Sequence, residues 1–468
     1  MNLNKQFYNY LWAYILVALS GCLGNVVDGI IVGNLIDADG VSAINLSKPI
    51  NQFIFTLHLL INAGAGMLVG YALGQRDTIK ARQLFTLALT TSVGIGLLLS
   101  LFGGVLFPDQ TARMLCSNDQ ILPMARDYMQ VLLLGNPAFI LMWGLSTMVG
   151  VDGQPKLVSL AVIVDNAVNL CLDIVFIQWL GWGITGSSAA TVVGHLVGIA
   201  ILLTHWRKPS PLKYHFSLST LNSQPSTLNS QPSTLNSSPS TLNSQLSTLN
   251  SQLSTLHSIL SQGAPLAIAS ISLTLLLFSA NTIVLSTLGQ AGIFAFAVCM
   301  NLLQVYNLFL SGTCQTLQSL GAIQVGKGDA DGLRTVIRKA FRFITVAMVV
   351  TCLVVWIDPQ LIASLFGADT PDYITETDSA LRIFALSFIP FCYIYVLMIV
   401  YKLYHHHRMA LFISFALSLT VIPVLWVVSH VAPHLLWYSY LIAYVIEAAV
   451  IGLLHLLTIS QTPKRPNA

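Results

Sequence analysis

Three short stretches hold the residues whose types and spacing could do chemistry. Asp28 lies in GNVVDGIIVG, one turn after Asn25. VDNAVNLCLDIVFI carries Asp165, Asn166, Asn169 and Asp173, and GSSAATVVGHL carries Ser187, Thr191 and His195. On a helix, Asp165, Asn169 and Asp173 step by four, as do Ser187, Thr191 and His195, so each set forms a polar stripe on one face. The surrounding residues are apolar, and an ionisable group in such surroundings is costly, which makes each one a functional candidate. Two carboxylates with amides nearby supply oxygen ligands of tunable charge, the set that a proton or Na⁺ requires. The competing reading is that Asp165, Asn166, Asn169 and Ser187 only hydrogen-bond helix to helix, with His195 as polar packing.

The elements that must position these side chains are membrane spans. Only 8% of the 468 residues are charged and the mean hydropathy is +0.73. A soluble globular chain carries roughly 25% charged residues. The chain is therefore expected to be an all-α polytopic membrane protein, because lipid cannot satisfy free backbone polar groups. Twelve apolar stretches have spanning length, roughly 10–36, 42–71, 79–107, 121–150, 156–180, 184–206, 259–288, 292–325, 331–357, 372–402, 408–430 and 434–460. The first passes into NVVDGIIVGNLI without a convincing cleavage site, so it is read as a retained helix rather than a signal peptide. With the N-terminus placed inside, 17 of the 21 Lys and Arg fall on the inner side, and both termini are expected in the cytoplasm.

Several functions are excluded or unsupported. A net charge of +3 gives no footing for nucleic-acid binding. Seven Cys without a CxxC argue for packing rather than disulfides or metal. Walker A, HExxH, nucleophile-elbow and dinucleotide motifs are all missing, so an enzyme is not expected and no cofactor is called for beyond a coupling ion. The HHH at 405–407, beside Arg408, reads as an interfacial inner loop rather than a metal site.

The chain also repeats itself. GQRDTIKAR (74–82) lies over GKGDADGLR (326–334) at an offset of 252, Pro137 over Pro390 at 253, and DGIIVGNL (28–35) over NTIVLSTL (281–288). The expectation is six helices duplicated in parallel as two six-helix pseudo-symmetric lobes, 1–206 and 259–468, joined by a cytoplasmic linker, 207–258. Asp28 is matched by Asn281, and Glu447 in the twelfth span is the one clearly intramembrane carboxylate of the second half. The linker carries a seven-residue unit, STLNSQP and its variants, across 219–258, with Pro at 225, 232 and 239. Leu242, Leu246, Leu249, Leu253, Leu256 and Leu260 outline a heptad seam that would suit a short helix. Ser, Thr and Asn fill the other positions and favour an irregular linker instead.

VVDGIIVGNL, VGYALGQRD, NLCLDIVFI and GWGITGSSAAT together resemble the multidrug and toxic compound extrusion (MATE) transporters, particularly their DinF-like branch. The likeness covers nearly the whole chain apart from about 209–258. It implies a twelve-helix antiporter that exports organic cations or amphipathic compounds in exchange for H⁺ or Na⁺. It also implies a cation site at Asp28, Asn169, Asp173 and Thr191; the polar residues read from the spans themselves, Asn25, Asp165, Asn166, Ser187 and His195, form the supporting polar cluster. Gln52 and Asn62 in span two, with Phe139, Met142 and Trp143 in span four, are candidates for a substrate cavity. The expected partners are a small amphipathic or cationic molecule and the bilayer, with the protein a monomer in a bacterial cytoplasmic membrane. Many relatives carry a proline in span one, whereas residues 10–36 have none and offer Gly21, Gly24, Gly29 and Gly33 as hinge positions. Two other functions compete. A lipid-linked oligosaccharide flippase would need buried Arg or Lys for a pyrophosphate, and none lies at mid-membrane. A receptor or scaffold would not need a cluster of intramembrane carboxylates.

Overall fold

The computed structural model describes residues 3–36, 38–115, 121–207, 210, 212, 240–366 and 370–461; at some of these positions, Asn25 and 241–249 among them, it describes the backbone alone. Helices dominate, and they follow the expected spans closely. α1 is Leu3–Leu35. α2 runs Ala38–His58, loosens into a π-helical turn at Leu59–Ala63 and continues Gly64–Gly74. α3 is Thr78–Leu99 with a π-helical end, Ser100–Leu106. α4 is a pair, Leu122–Leu134 and Asn136–Val151, bent by 51°. α5 is Pro155–Ile174 with a π-helical end, Val175–Trp179, and α6 is Ile184–Leu203.

A long helix, Ser240–Lys327, breaks at Gly289, where φ is +62°, into α7 (240–288) and α8 (290–327). α9 is Ala330–Ile357, α10 is Pro371–Leu403, α11 comprises His407–Leu419 and Val421–Val431, and α12 is Tyr438–Gln461. Among the described residues nine helices are long and apolar enough to cross a membrane, and the bent pair of α4 makes ten. Dividing the long helix at Gly289 into α7 and α8 gives eleven, and α12, whose apolar stretch Tyr438–Leu454 is shorter, brings the number to the expected twelve.

The duplication is visible in the backbone. Arg76 and Gly328, 252 residues apart, both adopt positive φ, +61° and +69°. The turns around them close in the same way: Asp77 N–H donates to the Ala72 carbonyl at 2.9 Å, and Asp329 N–H to that of Gln324 at 3.0 Å. A second pair of turns matches at the same offset. Gly153 and His405 both have positive φ, and Gln154 and His406 donate to the carbonyls of Val149 and Tyr401. The matched prolines differ in effect. Pro137 follows Gly135 and sits where α4 bends, while Pro390 lies inside an uninterrupted α10.

The linker expectation needs correction. The helix that becomes α7 begins at Ser240, the first residue after the last proline of the repeat, so 240–258 is helical rather than irregular. The copies of the unit after Pro239 contain no proline, so nothing in them interrupts the backbone hydrogen bonds of the helix. Residues 213–239 lie outside the described residues.

The chain divides into two compact units. Unit 1 comprises 1–18, 265–321 and 331–468; unit 2 comprises 19–264 and 322–330. The division therefore falls inside α1, α7 and α8 rather than only at the linker. Unit 1 is built on aromatic packing: the Phe384 ring lies 4.7 Å from Tyr440, and Tyr306 lies 4.6 Å from Phe388. In unit 2 the helices approach at glycines. A Cβ on Gly263 would lie 1.9 Å from the Leu60 carbonyl oxygen, and one on Gly74 would lie 2.3 Å from that of Ile323.

Candidate functional site

The site lies in unit 2, where α1, α5 and α6 meet. Asn166 pins the first two of these helices, its Nδ2 donating to Ser20 Oγ at 2.9 Å and to the Val162 carbonyl at 3.0 Å. Gly24 gives α1 the room to do this, because a Cβ there would stand 3.1 Å from the Asn166 amide oxygen. α5 and α6 are joined one turn further on by Asn169, whose Nδ2 donates to Thr191 Oγ1 at 3.1 Å. Thr191 in turn donates to the Ser187 carbonyl at 3.2 Å.

Asp28 and Asp173 come together beside this link, within hydrogen-bonding reach of each other. Asp173 is fully buried. Both of its oxygens, and Oδ1 of Asp28, are buried with no hydrogen-bond donor among the described residues. Two carboxylates can bond to each other only through a proton. Two like charges about 4 Å apart repel by about 4 kcal/mol at an effective dielectric of about 20, so a pair in hydrogen-bonding reach is disfavoured as two anions. Chemically, such an arrangement can take one positive charge. A proton would bridge the pair, and a Na⁺ would draw on the carboxylates and on the Asn169 and Thr191 oxygens. Ser187, buried beside Asp173, is a further neighbour.

Sequence reasoning missed two residues here. Tyr128 on α4 is buried within electrostatic reach of both carboxylates, and Ser47 on α2 is buried beside it. A search confined to carboxylates and amides could not find them. Tyr128 stands in ARDYMQVLLL, at the inward face of a helix whose apolar neighbours Ala125, Met129 and Leu132 form one packed cluster.

The rest of the polar stripe does different work. His195 Nδ1 bonds both oxygens of Asp165, at 3.1 and 2.9 Å, forming a separate buried pair on α5 and α6. Gly194 lets the carboxylate approach, since a Cβ there would sit 2.7 Å from Asp165 Oδ1. The Phe139 ring packs edge-on against His195 at 5.1 Å. The side chain of Asn25 lies outside the described residues.

Of the five residues considered for a substrate cavity, Asn62 is linked through His58 to Trp143, and Trp143 to Phe139. Asn62 is fully buried; Ser92 Oγ donates to its oxygen at 3.1 Å and its amide meets His58 Nδ1 at 3.3 Å. Met142 is buried against Gly198. Phe139 and Trp143 belong to an aromatic group with Phe55 and His58. Gln52 is half-buried on α2, where its carbonyl accepts from Thr56 at 2.8 Å. A cavity of about 440 Å³ does open in unit 2, but its walls are Pro49, Phe53, Leu99, Phe102, Phe107 and Met114, with others, and it includes none of the five.

Comparison with known proteins gives a family and a fold. The MatE family profile matches residues 14–175 and 265–449. The multidrug export protein MepA of Staphylococcus haemolyticus (strain JCSC1435) is 24% identical over 216 residues, 45% of this chain and 48% of that protein. MepA of Staphylococcus aureus (strain bovine RF122 / ET3-1) is 24% identical over 201 residues, 42% and 44% of the two chains. The chain thus spans about half the length of the curated relatives it matches. Solved structures match over far more of the chain. A MOP superfamily transporter from Pyrococcus furiosus gives a TM-score of 0.82 at 17% identity, covering 99% of this chain and 97% of that one. A multidrug resistance MATE family transporter in an outward-facing conformation gives 0.82 at 18% identity, covering 98% and 96%.

Proposed function

The chain belongs to the MatE family, and on that premise we propose that it is a secondary antiporter that exports organic cations or amphipathic compounds in exchange for H⁺ or Na⁺. The observation that carries this reading is the meeting of Asp28 and Asp173 in unit 2, two carboxylates from different helices with three oxygens left unpartnered. A coupling cation neutralises the pair; removing it restores a repulsion that the surrounding helices must relieve by moving. Asn169 and Thr191 position the seat, because their hydrogen bond fixes α5 against α6 one turn away. Tyr128 joins them as a buried hydroxyl close to both carboxylates. The two MepA relatives are named as multidrug export proteins, which supports a broad small-molecule substrate class. The driving force is sufficient: about 2.3 kcal/mol per charge per 100 mV, with about 1.4 kcal/mol for each pH unit.

In this reading the protein lies in a bacterial cytoplasmic membrane as a monomer with both termini inside, and its lobes are 1–206 and 259–468. The oligosaccharide-lipid flippase is set aside, because the pair at the centre of unit 2 is anionic and would repel a pyrophosphate. The test is ethidium efflux from a pump-deficient bacterium expressing the wild type or Asp28→Asn at matched membrane levels. Export by the wild type with about a tenfold or greater loss in the variant supports the reading. Equal export by both would make Asp28 structural and remove the proposed seat. Repeating the assay with Na⁺ replaced by K⁺, and with the pH gradient collapsed, identifies the coupling ion.

A further inference from the structure

The second half of the chain holds a buried carboxylate that the antiport site does not use. Glu447 lies on α12 in unit 1 and is 2% exposed, and neither of its oxygens has a hydrogen-bond partner among the described residues. It stands on the inward face of its helix with Tyr440, Ala443, Tyr444 and Ile451, all buried, at helical spacings of three and four. That face packs on α10 and α11. The Tyr444 ring lies 5.3 Å from Phe391, and Tyr440 lies 4.7 Å from Phe384.

The titratable side chains turned toward this part of α12 are Tyr440 and Tyr444 on the helix itself, Cys392 on α10 and Cys299 on α8. None is a cation. The charged residues of α10 and α11 are engaged or placed elsewhere: Arg382 pairs with Asp378, Glu376 accepts from Trp437, Asp372 lies in the first turn of α10 and the buried Lys402 in its last turn, and His407 and Arg408 begin α11 while His430 lies near its end. An ionised carboxylate in this setting would be a buried charge without partner or donor, which is costly enough that such groups neutralise. A metal ion would need several more oxygen ligands. Aromatic rings and thiols occupy those positions instead. An organic cation would need space beside residues that are almost wholly enclosed.

We propose that Glu447 is a second proton-binding site of this protein, in unit 1, separate from the Asp28–Asp173 pair of unit 2. Its ligand is a proton, the one cation that fits without added ligands or room. Glu447 keeps that proton while enclosed and exchanges it when water reaches α12. A part for this proton in transport rests on the antiport reading; the presence of the proton does not.

The test uses the purified full-length chain in lipid nanodiscs and infrared difference spectroscopy between about pH 5 and pH 9, reading the C=O stretch of protonated carboxyl groups. The samples are wild type, Glu447→Gln and the double variant Asp28→Asn/Asp173→Asn. The expected result is a protonated-carboxyl band that persists in the double variant, disappears in Glu447→Gln and fades as the pH rises. Absence of the band from the double variant overturns the proposal, and that comparison stands even if Glu447→Gln does not fold. A Glu447 band unchanged at every pH also overturns it, because the carboxyl would then be permanently neutral and exchange nothing. Since no transport is measured, failure here leaves the antiport reading intact.

Discussion

Three of the four carboxylate oxygens of Asp28 and Asp173 are buried without a hydrogen-bond partner among the described residues, and an arrangement of this kind trades stability for function. Replacing either with Asn removes the repulsion and supplies a donor. Each single variant is expected to melt at the wild-type temperature or above it while losing ion-driven efflux, read by thermal unfolding in detergent beside the ethidium assay. A lower melting temperature together with lost efflux would point to a structural role instead. Thr191→Val removes the acceptor of the Asn169 hydrogen bond. One such bond is worth about 0.5–1.5 kcal/mol, so the apparent affinity for the coupling ion should fall by up to about tenfold, with a maximal rate near wild type. His195 behaves differently, because it partners Asp165 at 2.9 Å inside the protein. His195→Ala takes away the hydrogen bond to that buried carboxylate, a loss of about 1.5–3 kcal/mol. The melting temperature should drop, and adding Asp165→Asn should recover much of it.

At the scale of elements, the two matched turns make a sharper case for duplication than any side chain. The positions with positive φ recur at an offset of 252, but the residues differ: Arg76 against Gly328, and His405 against Gly153. A residue with a Cβ in this region costs about 1–2 kcal/mol. Gly328→Ala is therefore expected to lower stability, whereas His405→Gly should be neutral or stabilising, since glycine's entropy loss offsets part of the gain. Burial, with His406 alongside, holds the His405 imidazole below its ordinary range. Its neutral form fits the fold, so this contribution is complete above the unfolded value of about 6.5 and is lost as the pH falls from there through the folded value. His405→Gly should flatten that acid-side decline in a series of melting curves. The crossing of α2 and α7 leaves no room at all. Gly263→Ala would drive a methyl into the Leu60 carbonyl and should abolish monodisperse protein in size-exclusion chromatography.

At the scale of the whole molecule, the polar repeat runs into a helix, its copies from Ser240 onward belonging to α7. Changing the length of a connection between elements alters the closure cost by only about 0.6 kcal/mol per doubling. Deleting 219–239 should therefore leave efflux within about twofold of wild type. Extending the deletion through 258 also removes the first turns of α7, which lead into the buried Ile259 and Gln262, and should cost expression or activity. The sequence by itself determined the all-helical membrane class, the apolar spans and the internal repeat at an offset of 252. Hydropathy, helical periodicity and the price of charge in lipid are local properties, readable from residue types and spacing alone. Only the tertiary structure decided that Asp28 meets Asp173 while Asp165 turns to His195, although both aspartates lie on one stripe of α5. It alone brought Tyr128 and Ser47 to the pair and left Glu447 without a hydrogen-bond partner among the described residues. It also drew 1–18 into unit 1 with the second half of the chain. Helical spacing fixes which residues share a face, but the neighbour that face meets is set by how helices far apart in sequence pack together.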